Sequence, residues 1–569
     1  MSGTATPEVS LPPSRYEVNP ARVAVAAKPT PKRSSIFAWI FVSLAAANCI
    51  AQIAWFWRYT AHNINFDAIS YIGIAHHLLD GNWRASLNGY WSPLLSWCIA
   101  LLGLFTNNLL LAARLVTIAS FVACMPLMFV LSLQLWRSMT VAAFSVLCFT
   151  LARGIVASSV YFIGADFLLT AFVLAYFILL LRCLRNPRLH NWIALGGAHG
   201  LAFLAKAFAM PWLTVSTLLA AMLVNRRKPS RAIITIIAAM SLPLFLWSSW
   251  GALLKTRYGH FTAGYQSTWN LLPNETKAAA DRGALSFLRD KSRSTDEYLV
   301  VDNMYASSPL WNAHIQLRSV AGQILSKEKT NLPEALKQLL ILLTPGGILA
   351  LALSFHRQIG SARSPEKLWS LLTLCAAAAL IISYCMLVFD ARYLLPLVPL
   401  LFVLAAEFLL SNASPAQNKL LRLLPAALLV LGLLYGNLYH ASPFRNLRRD
   451  SQTDVYALAA SLRQHACDRL ITVGSGRDPQ HGVGWEAGIY AAYFAQCRLV
   501  GFSDRLPSSR NVGSLASDAE TLHASSMLLI DNADMESTDA VVLAVKPVFP
   551  HIASVRDTGG HQIGVLLSR

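Results

Sequence analysis

The chain reads as a polytopic α-helical membrane protein that ends in a soluble α/β domain. Three observations carry that reading. Of 569 residues, 55% are hydrophobic and 13% charged, against roughly 25% charged in ordinary soluble domains. Apolar runs of about 17–25 residues recur along the chain, each long enough to cross a hydrocarbon core of roughly 30 Å. Beyond about residue 440 these runs give way to short β-type stretches that alternate with amphipathic helical spacing.

Residues 1–34 are rich in Pro, Ala, Ser and Lys, carry no helical period, and are expected to form a disordered cytoplasmic tail. Residues 35–440 form the membrane domain, with outer loops at 58–114 and 255–338. Residues 441–569 form an extracytoplasmic α/β domain. The first apolar run, Ile36–Trp57, is too long for a signal-peptide core and stays as a span. Ten more follow: Leu115–Trp136, Met139–Val156, Phe167–Leu181, Trp192–Phe208, Pro211–Val224, Ile233–Leu254, Leu339–Phe355, Leu368–Val388, Leu394–Leu410 and Leu423–Tyr439.

With the N-terminus inside, the inner loops hold Arg137, the 182–188 and 226–231 clusters, Arg357, Arg363, Lys367, Lys419 and Arg422. The short outer connections hold fewer cations, as the positive-inside rule requires. Trp91–Phe105 is apolar as well. A crossing there would reverse the charge bias, so it is expected to lie in the interface. The net charge of +18 therefore reads as topology and contact with anionic lipid rather than nucleic-acid binding. The multi-pass chain is expected in the cytoplasmic membrane with its C-terminal domain outside.

In the C-terminal domain, Leu470–Gly474, Arg498–Phe502 and Met527–Asp531 read as buried strands, and Asp454–His465 and Trp485–Phe494 as helices. Gly474-Ser475-Gly476 is read as a turn; a lone Gly-x-Gly is weak evidence for nucleotide binding. None of the nine Cys has zinc-type spacing. Cys467 and Cys497 each directly precede a strand. If those strands are parallel neighbours, the two thiols lie side by side, and an oxidising compartment permits a disulfide.

Four residues bear on chemistry. Asp67 follows the first span, where a carboxylate serves either as a general base at the membrane surface or as an N-cap for Ala68–Leu79. Asp166 opens an apolar run, and a carboxylate at membrane depth is a functional hypothesis by default, with capping as the other reading. Lys206 and Arg392 sit at outer ends of spans. They serve either to hold an anionic lipid phosphate, for which Arg has the better geometry, or, for Lys206, to snorkel to the headgroups.

Phe66-Asp67-Ala68-Ile69-Ser70-Tyr71, Gly81-Asn82-Trp83 and Asn88-Gly89-Tyr90-Trp91-Ser92-Pro93 resemble the first outer loop of the GT-C glycosyltransferases. That superfamily includes bacterial proteins like the protein mannosyltransferases and the aminoarabinose transferases of lipid A. Asp166 resembles the family's second outer-loop acid. Leu204-Ala205-Lys206 and Arg392-Tyr393-Leu394-Leu395-Pro396 resemble two later motifs.

The resemblance implies inverting transfer of a sugar from a polyprenyl-phosphate donor to a glycan, lipid or protein acceptor. Asp67 and Asp166 would be the catalytic acids, and Arg392, Lys206 and Tyr393 would sit at the donor phosphate. Tyr71, Asn88 and Trp91 would lie on the acceptor side. Several relatives carry an acidic pair in the first loop; Ala68 follows Asp67 here, which points away from a protein hydroxyl. No cofactor is called for, and a divalent metal, though compatible with phosphate chemistry, is indicated by no residue pattern. The alternatives are a lipid-linked polysaccharide ligase or polymerase, or a non-enzymatic lipid or solute transporter. Transporters often carry inverted repeats, and none is apparent.

Overall fold

The structure is a computed structural model that describes residues 31–60, 63–152, 154–264, 317–359, 364–386, 389–410, 420–439, 453–474, 486–503, 512–530, 535–556 and 562–569. Residues 1–30 of the expected N-terminal tail, positions 265–316 of the second outer loop, and Ser475 and Gly476 of the expected turn lie outside the described residues, while residues 31–34, also expected in the tail, already belong to the first helix.

The membrane part runs α1 (Pro31–Thr60), α2 (Phe66–Leu79), α3 (Pro93–Gly103), α4 (Leu109–Trp136), α5 (Met139–Leu151), α6 (Ile155–Tyr161), α7 (Asp166–Arg185), α8 (Leu189–Ala205), α9 (Ala209–Val224) and α10 (Pro229–Tyr258). It continues with α11 (Leu317–Ile359), α12 (Pro365–Met386), a 3₁₀ turn (Ala391–Leu394), α13 (Val398–Leu410) and α14 (Leu420–Tyr439). Each of the apolar runs read from the sequence falls on one or two of these helices. α1, α4, α7, α10, α11 and α12 are long and apolar enough to cross a membrane, and α9 and α13 are shorter apolar helices. The chain is a multi-pass membrane protein. Outward-facing Ile36, Phe37, Trp39 and Ile40 of α1 present to lipid what a soluble helix would bury.

Two expected spans are not straight. Met139–Val156 is broken: α5 and α6 meet at 57°, with Gly154 in the left-handed region at φ 71°. Leu339–Phe355 is interrupted at Thr344, where φ 62° and ψ 163° leave the helix. Pro345 follows, and a proline both lacks an N–H and pushes the preceding residue out of the α region. α3, at 11 residues, is only about 16 Å long at 1.5 Å per residue. It is too short to cross, in keeping with the interfacial reading of Trp91–Phe105.

α7 fixes the two ends of the bundle. Asp166 is its first residue and Arg185 its last, about 30 Å apart at 1.5 Å per residue. At the Arg185 end the guanidinium pairs with Glu366 at 2.7 Å, which brings together two segments assigned to the inner side. At the Asp166 end lie the residues assigned to the outer side.

Close packing of α8 on α10 holds the adjoining wall. A Cβ at Gly196 would stand 2.3 Å from the backbone oxygen of Ala239, and one at Gly200 would meet the Leu246 side chain at 2.6 Å. This small-xxx-small face lets two backbones touch, which is how helices associate where lipid offers no hydrophobic drive.

The C-terminal part contains α15 (Thr453–Gln464), β1 (Arg469–Gly474), α16 (Glu486–Ala495), β2 (Arg498–Ser503), α17 (Val512–Thr521), β3 (Ser526–Ile530), α18 (Met535–Val545), β4 (His551–Arg556) and β5 (Gln562–Ser568). The sheet order is β2-β1-β3-β5-β4. β2, β1 and β3 are parallel, and β5 and β4 add an antiparallel edge that the sequence reading missed. β4 alternates weakly and is exposed along most of its length, so it lacks the continuous apolar run that marked the three inner strands.

β1 and β2 are parallel neighbours with Arg469 opposite Arg498, the arrangement on which the cysteine argument depended. The Cys497 thiol donates to the Cys467 carbonyl oxygen at 3.0 Å, and both side chains are present as free thiols. The interaction of the neighbouring thiols lowers the Cys467 pKa and raises that of Cys497.

Two measurements test this packing. Gly196→Ala is expected to lower the melting temperature in detergent, costing about 1–3 kcal/mol as overpacking does. Gly197→Ala, whose Cβ meets only a Leu242 side-chain carbon at 3.6 Å, leaves it unchanged. Unreduced protein recovered from an oxidising compartment is expected to carry the Cys467–Cys497 bond, worth roughly 3–4 kcal/mol by loop closure. Peptide mass spectrometry finding both thiols free rejects the pairing.

Candidate functional site

Asn65, not Asp67, occupies the N-cap position of α2, and its side chain makes no capping bond. Asp67 sits one residue inside the helix, where a carboxylate suits the positive end of the helix dipole. The capping reading of Asp67 is therefore replaced by another partner. Its Oδ2 accepts from Arg392 Nη1 at 2.6 Å.

Asp166 likewise follows its N-cap residue, Ala165. Its Oδ1 accepts from Lys206 Nζ at 2.5 Å. A Cβ at Gly164 would stand 3.1 Å from Asp166 Oδ2 and 2.5 Å from the Phe162 ring, so the glycine keeps room beside the carboxylate. Lys206 immediately follows α8 in extended conformation. Its ammonium turns inward to Asp166 and is 18% exposed, which replaces the snorkelling alternative.

Arg392 lies in the 3₁₀ turn capped by Asp390, whose side chain accepts from the Arg392 backbone N–H at 3.0 Å. Asp390 Oδ2 also lies 2.9 Å from Arg392 Nε. The guanidinium carbon is 4.4 Å from the Phe162 ring centre and 5.5 Å from that of Tyr393. Lys206 Nζ sits 4.5 Å from the centre of the same Tyr393 ring. Tyr393 stacks on Tyr384 at 4.3 Å, and Tyr384 stacks on Phe208 at 4.3 Å. Aromatic faces thus steady both cations where water is scarce.

The charges act on one another. Burial raises the Asp67 pKa; Arg392 pulls it down and Asp166 pushes it up again, with a net rise. Burial opposes the charge on Arg392, but Asp67, Asp166 and Asp390 outweigh it and hold the guanidinium protonated. Tyr71, one helical turn beyond Asp67, has its phenol pushed well above its usual range by burial and then by Asp67 and Asp166. It remains a neutral hydroxyl beside two carboxylates. Sequence reasoning named Asp67, Asp166, Lys206, Arg392, Tyr393 and Tyr71, and the structure gathers all six.

Asn88 and Trp91 stand beside this cluster. Asn88 Oδ1 accepts from the backbone N–H groups of Tyr90 and Trp91, each at 2.8 Å, so the asparagine shapes the loop. Trp91 packs on Tyr71 at 5.1 Å between ring centres. Asn88 Nδ2 and Trp91 Nε1 are buried and have no hydrogen-bond partner among the described residues. Ser92 Oγ accepts from Ala207 N at 2.9 Å, which ties this loop to the residue after Lys206.

Two residues that the sequence did not single out hold the carboxylates in place. Asn65 pairs both ways with the backbone of Ile163: its Nδ2 donates to the oxygen and its Oδ1 accepts from the N–H, each at 3.0 Å. Arg114, 1% exposed, donates to the backbone oxygens of Val160 and Asn63. Together they zip the segment before α2 to the segment before α7. An Asn two positions before an acid was the only available hint, and it carries no partner information.

A cleft of about 410 Å³ opens on the Asp166 and Arg392 side of this cluster, with Asp67 and Lys206 behind its lining residues. Asp166, Asp390 and Arg392 supply its charged lining, and Ile341, Leu342 and Leu395 an apolar part. Among the described residues no three His, Cys, Asp or Glu side chains converge as a metal site.

Asn65→Ala is expected to destabilise the protein by about 1–3 kcal/mol, the cost of leaving buried backbone groups unpaired. A melting temperature equal to that of the wild type removes the zipper role.

No protein-family profile matches the chain, and no curated protein sequence does either. Solved structures do. ArnT from Cupriavidus metallidurans bound to undecaprenyl phosphate aligns with a TM-score of 0.52 at 14% identity, covering 93% of this chain and 97% of that one. Its apo state gives 0.52 and 14%, covering 94% and 98%. The Archaeoglobus fulgidus oligosaccharyltransferase tethered with an acceptor peptide gives 0.45 and 12%, covering 88% and 71%. The ArnT likeness shows that the chain shares that protein's fold.

Proposed function

We propose that this protein is a membrane glycosyltransferase that moves a sugar from a polyprenyl-phosphate donor to an acceptor hydroxyl at the extracytoplasmic face. The observation that carries the reading is a set of two neighbouring ion pairs. Asp67–Arg392 and Asp166–Lys206 put two carboxylates and two cations into one half-buried cluster beside an open cleft. Proton removal and phosphate stabilisation need those two kinds of group within reach of one substrate. The fold shared with a structure that holds undecaprenyl phosphate supports a donor of that class.

In the proposed step the acceptor oxygen attacks the anomeric carbon from the side opposite the phosphate. A C–O bond forms as the bond from that carbon to the phosphate oxygen breaks, which inverts the centre. Asp67 takes the acceptor proton. The phosphate leaves with the bonding electrons, its charge held by Arg392 and Lys206 over the Tyr393 face. Asp166 orients the acceptor or the base. The Tyr71 hydroxyl, kept neutral, can donate a hydrogen bond to a sugar oxygen or to a carboxylate. The charge distribution over the loops supports an extracytoplasmic site in the cytoplasmic membrane.

The decisive variant is Asp67→Asn, which preserves shape and removes the proton acceptor. Turnover is expected to fall by about 10²–10⁴, the usual worth of a general base. Because the Asp67 pKa is raised, the wild-type kcat/KM should fall on the acid side above the ordinary carboxylate range. The protonated acid can no longer accept a proton there, and the variant should lack that limb. Transfer from a radiolabelled polyprenyl-phosphate sugar at the wild-type rate by the Asn variant takes Asp67 out of the chemistry.

A further inference from the structure

We infer that Asp67 and the donor phosphate compete for the same guanidinium, so that donor binding displaces Asp67 from Arg392 and releases the base only when a donor is present. The inference rests on the proposed role of Arg392 at the donor phosphate and adds an order of events to it.

Both cations assigned to the phosphate are already paired: Lys206 with Asp166 at 2.5 Å, and Arg392 with Asp67 at 2.6 Å and, by charge without a hydrogen bond at Nε, with Asp390 at 2.9 Å. Among the described residues three carboxylates face two cations in this cluster, so with every group ionised these five carry a net negative charge. A phosphate entering such a cluster as an added charge is repelled. It is accommodated when it takes over a cation's hydrogen bonds and a carboxylate gives way.

Geometry selects which carboxylate moves. Asp390 is two residues from Arg392, binds its backbone N–H at 3.0 Å as well as facing Nε, and is 46% exposed. It belongs to the same 3₁₀ turn and stays with the guanidinium. Asp67 comes from a different helix and holds Arg392 through Nη1 alone among the contacts between them. Phosphate takes that position with better charge and fork geometry than one carboxylate oxygen.

Displacement changes Asp67 chemically. Its side chain is 17% exposed, so on losing the guanidinium it has little water to replace that partner. A buried carboxylate without its cation gains affinity for a proton, which is what a base for an acceptor hydroxyl requires. Before the donor arrives, the ion pair keeps the carboxylate a weaker base. Donor therefore precedes acceptor.

The test measures undecaprenyl phosphate affinity in detergent for the full chain. If Asp67 competes, Asp67→Asn binds the lipid phosphate more tightly, by about tenfold for the loss of one charge-assisted competitor. Asp390→Asn removes the same charge from the same guanidinium but no competitor, and gains clearly less. Asp67→Ser serves as a second neutral variant should the Asn protein be unstable, and it too binds more tightly.

Unchanged or weaker binding by the Asp67 variants overturns the exchange, as does an equal gain in Asp390→Asn, which would mean a general field effect. Arg392→Ala separates this from the parent reading. If it leaves wild-type affinity intact, the phosphate role of Arg392 falls. If it weakens binding while Asp67→Asn does not strengthen it, only the exchange falls.

Discussion

Two ion pairs held away from water, Asp67–Arg392 and Asp166–Lys206, set the terms on which one end of this bundle is built. Removing such ions from water costs several kcal/mol each even after relaxation, and mutual attraction seldom returns more than that. Stability alone is a poor reason for such an arrangement. The surroundings do what is needed to make it tolerable: the guanidinium rests near the Phe162 ring and the ammonium over Tyr393, Asp390 adds a second acid for Arg392, and Gly164 leaves space at Asp166. The proposed function gives the arrangement a reason: a set of opposite charges whose partners a substrate exchanges.

The scaffold has to hold those charges to within a fraction of an ångström, and helices alone do not. α2 and α7 begin near each other because Asn65 pairs with the Ile163 backbone and Arg114 bridges Asn63 to Val160. The preceding elements are irregular for the same purpose. α5 and α6 bend at 57°, which packs α6 against α1 and α4 before α7 begins. Irregular backbone at membrane depth is tolerated where protein buries it, and Val156, Val160 and Ile163 are all buried. α11 is interrupted at Thr344, with Gly432 of α14 packed onto the break: a Cβ there would meet the Thr344 side chain at 2.7 Å.

The C-terminal sheet is held by ordinary globular packing. Its central strands β1 and β3 are buried along nearly their whole length, and the antiparallel strands β5 and β4 complete one side. Contact with the membrane part runs through the same region as the site: Tyr456 of α15 lies within electrostatic reach of Arg114, the residue that ties the two carboxylate-bearing segments together.

The sequence by itself determined the class and most of the elements. A bilayer demands long apolar runs with satisfied backbones, and that demand is local, so Ile36–Trp57 and its successors were legible as helices. Loop charge sorted the residues of the site, from Asp67 to Arg392, to one side. Strands buried on both faces announce themselves as apolar runs, so β1, β2 and β3 were readable, while exposed β4 was not. Which cation meets which acid was beyond the sequence. Arg392 reaches Asp67 across 325 positions and Lys206 reaches Asp166 across 40; nothing in periodicity or composition says that these pairs form rather than the reverse. The roles of Asn65 and Arg114 were hidden for the same reason, since their partners are backbone atoms, which carry no sequence signal. Tertiary structure decided these points because a buried charge or amide is satisfied only by whatever the fold brings within about 3 Å of it.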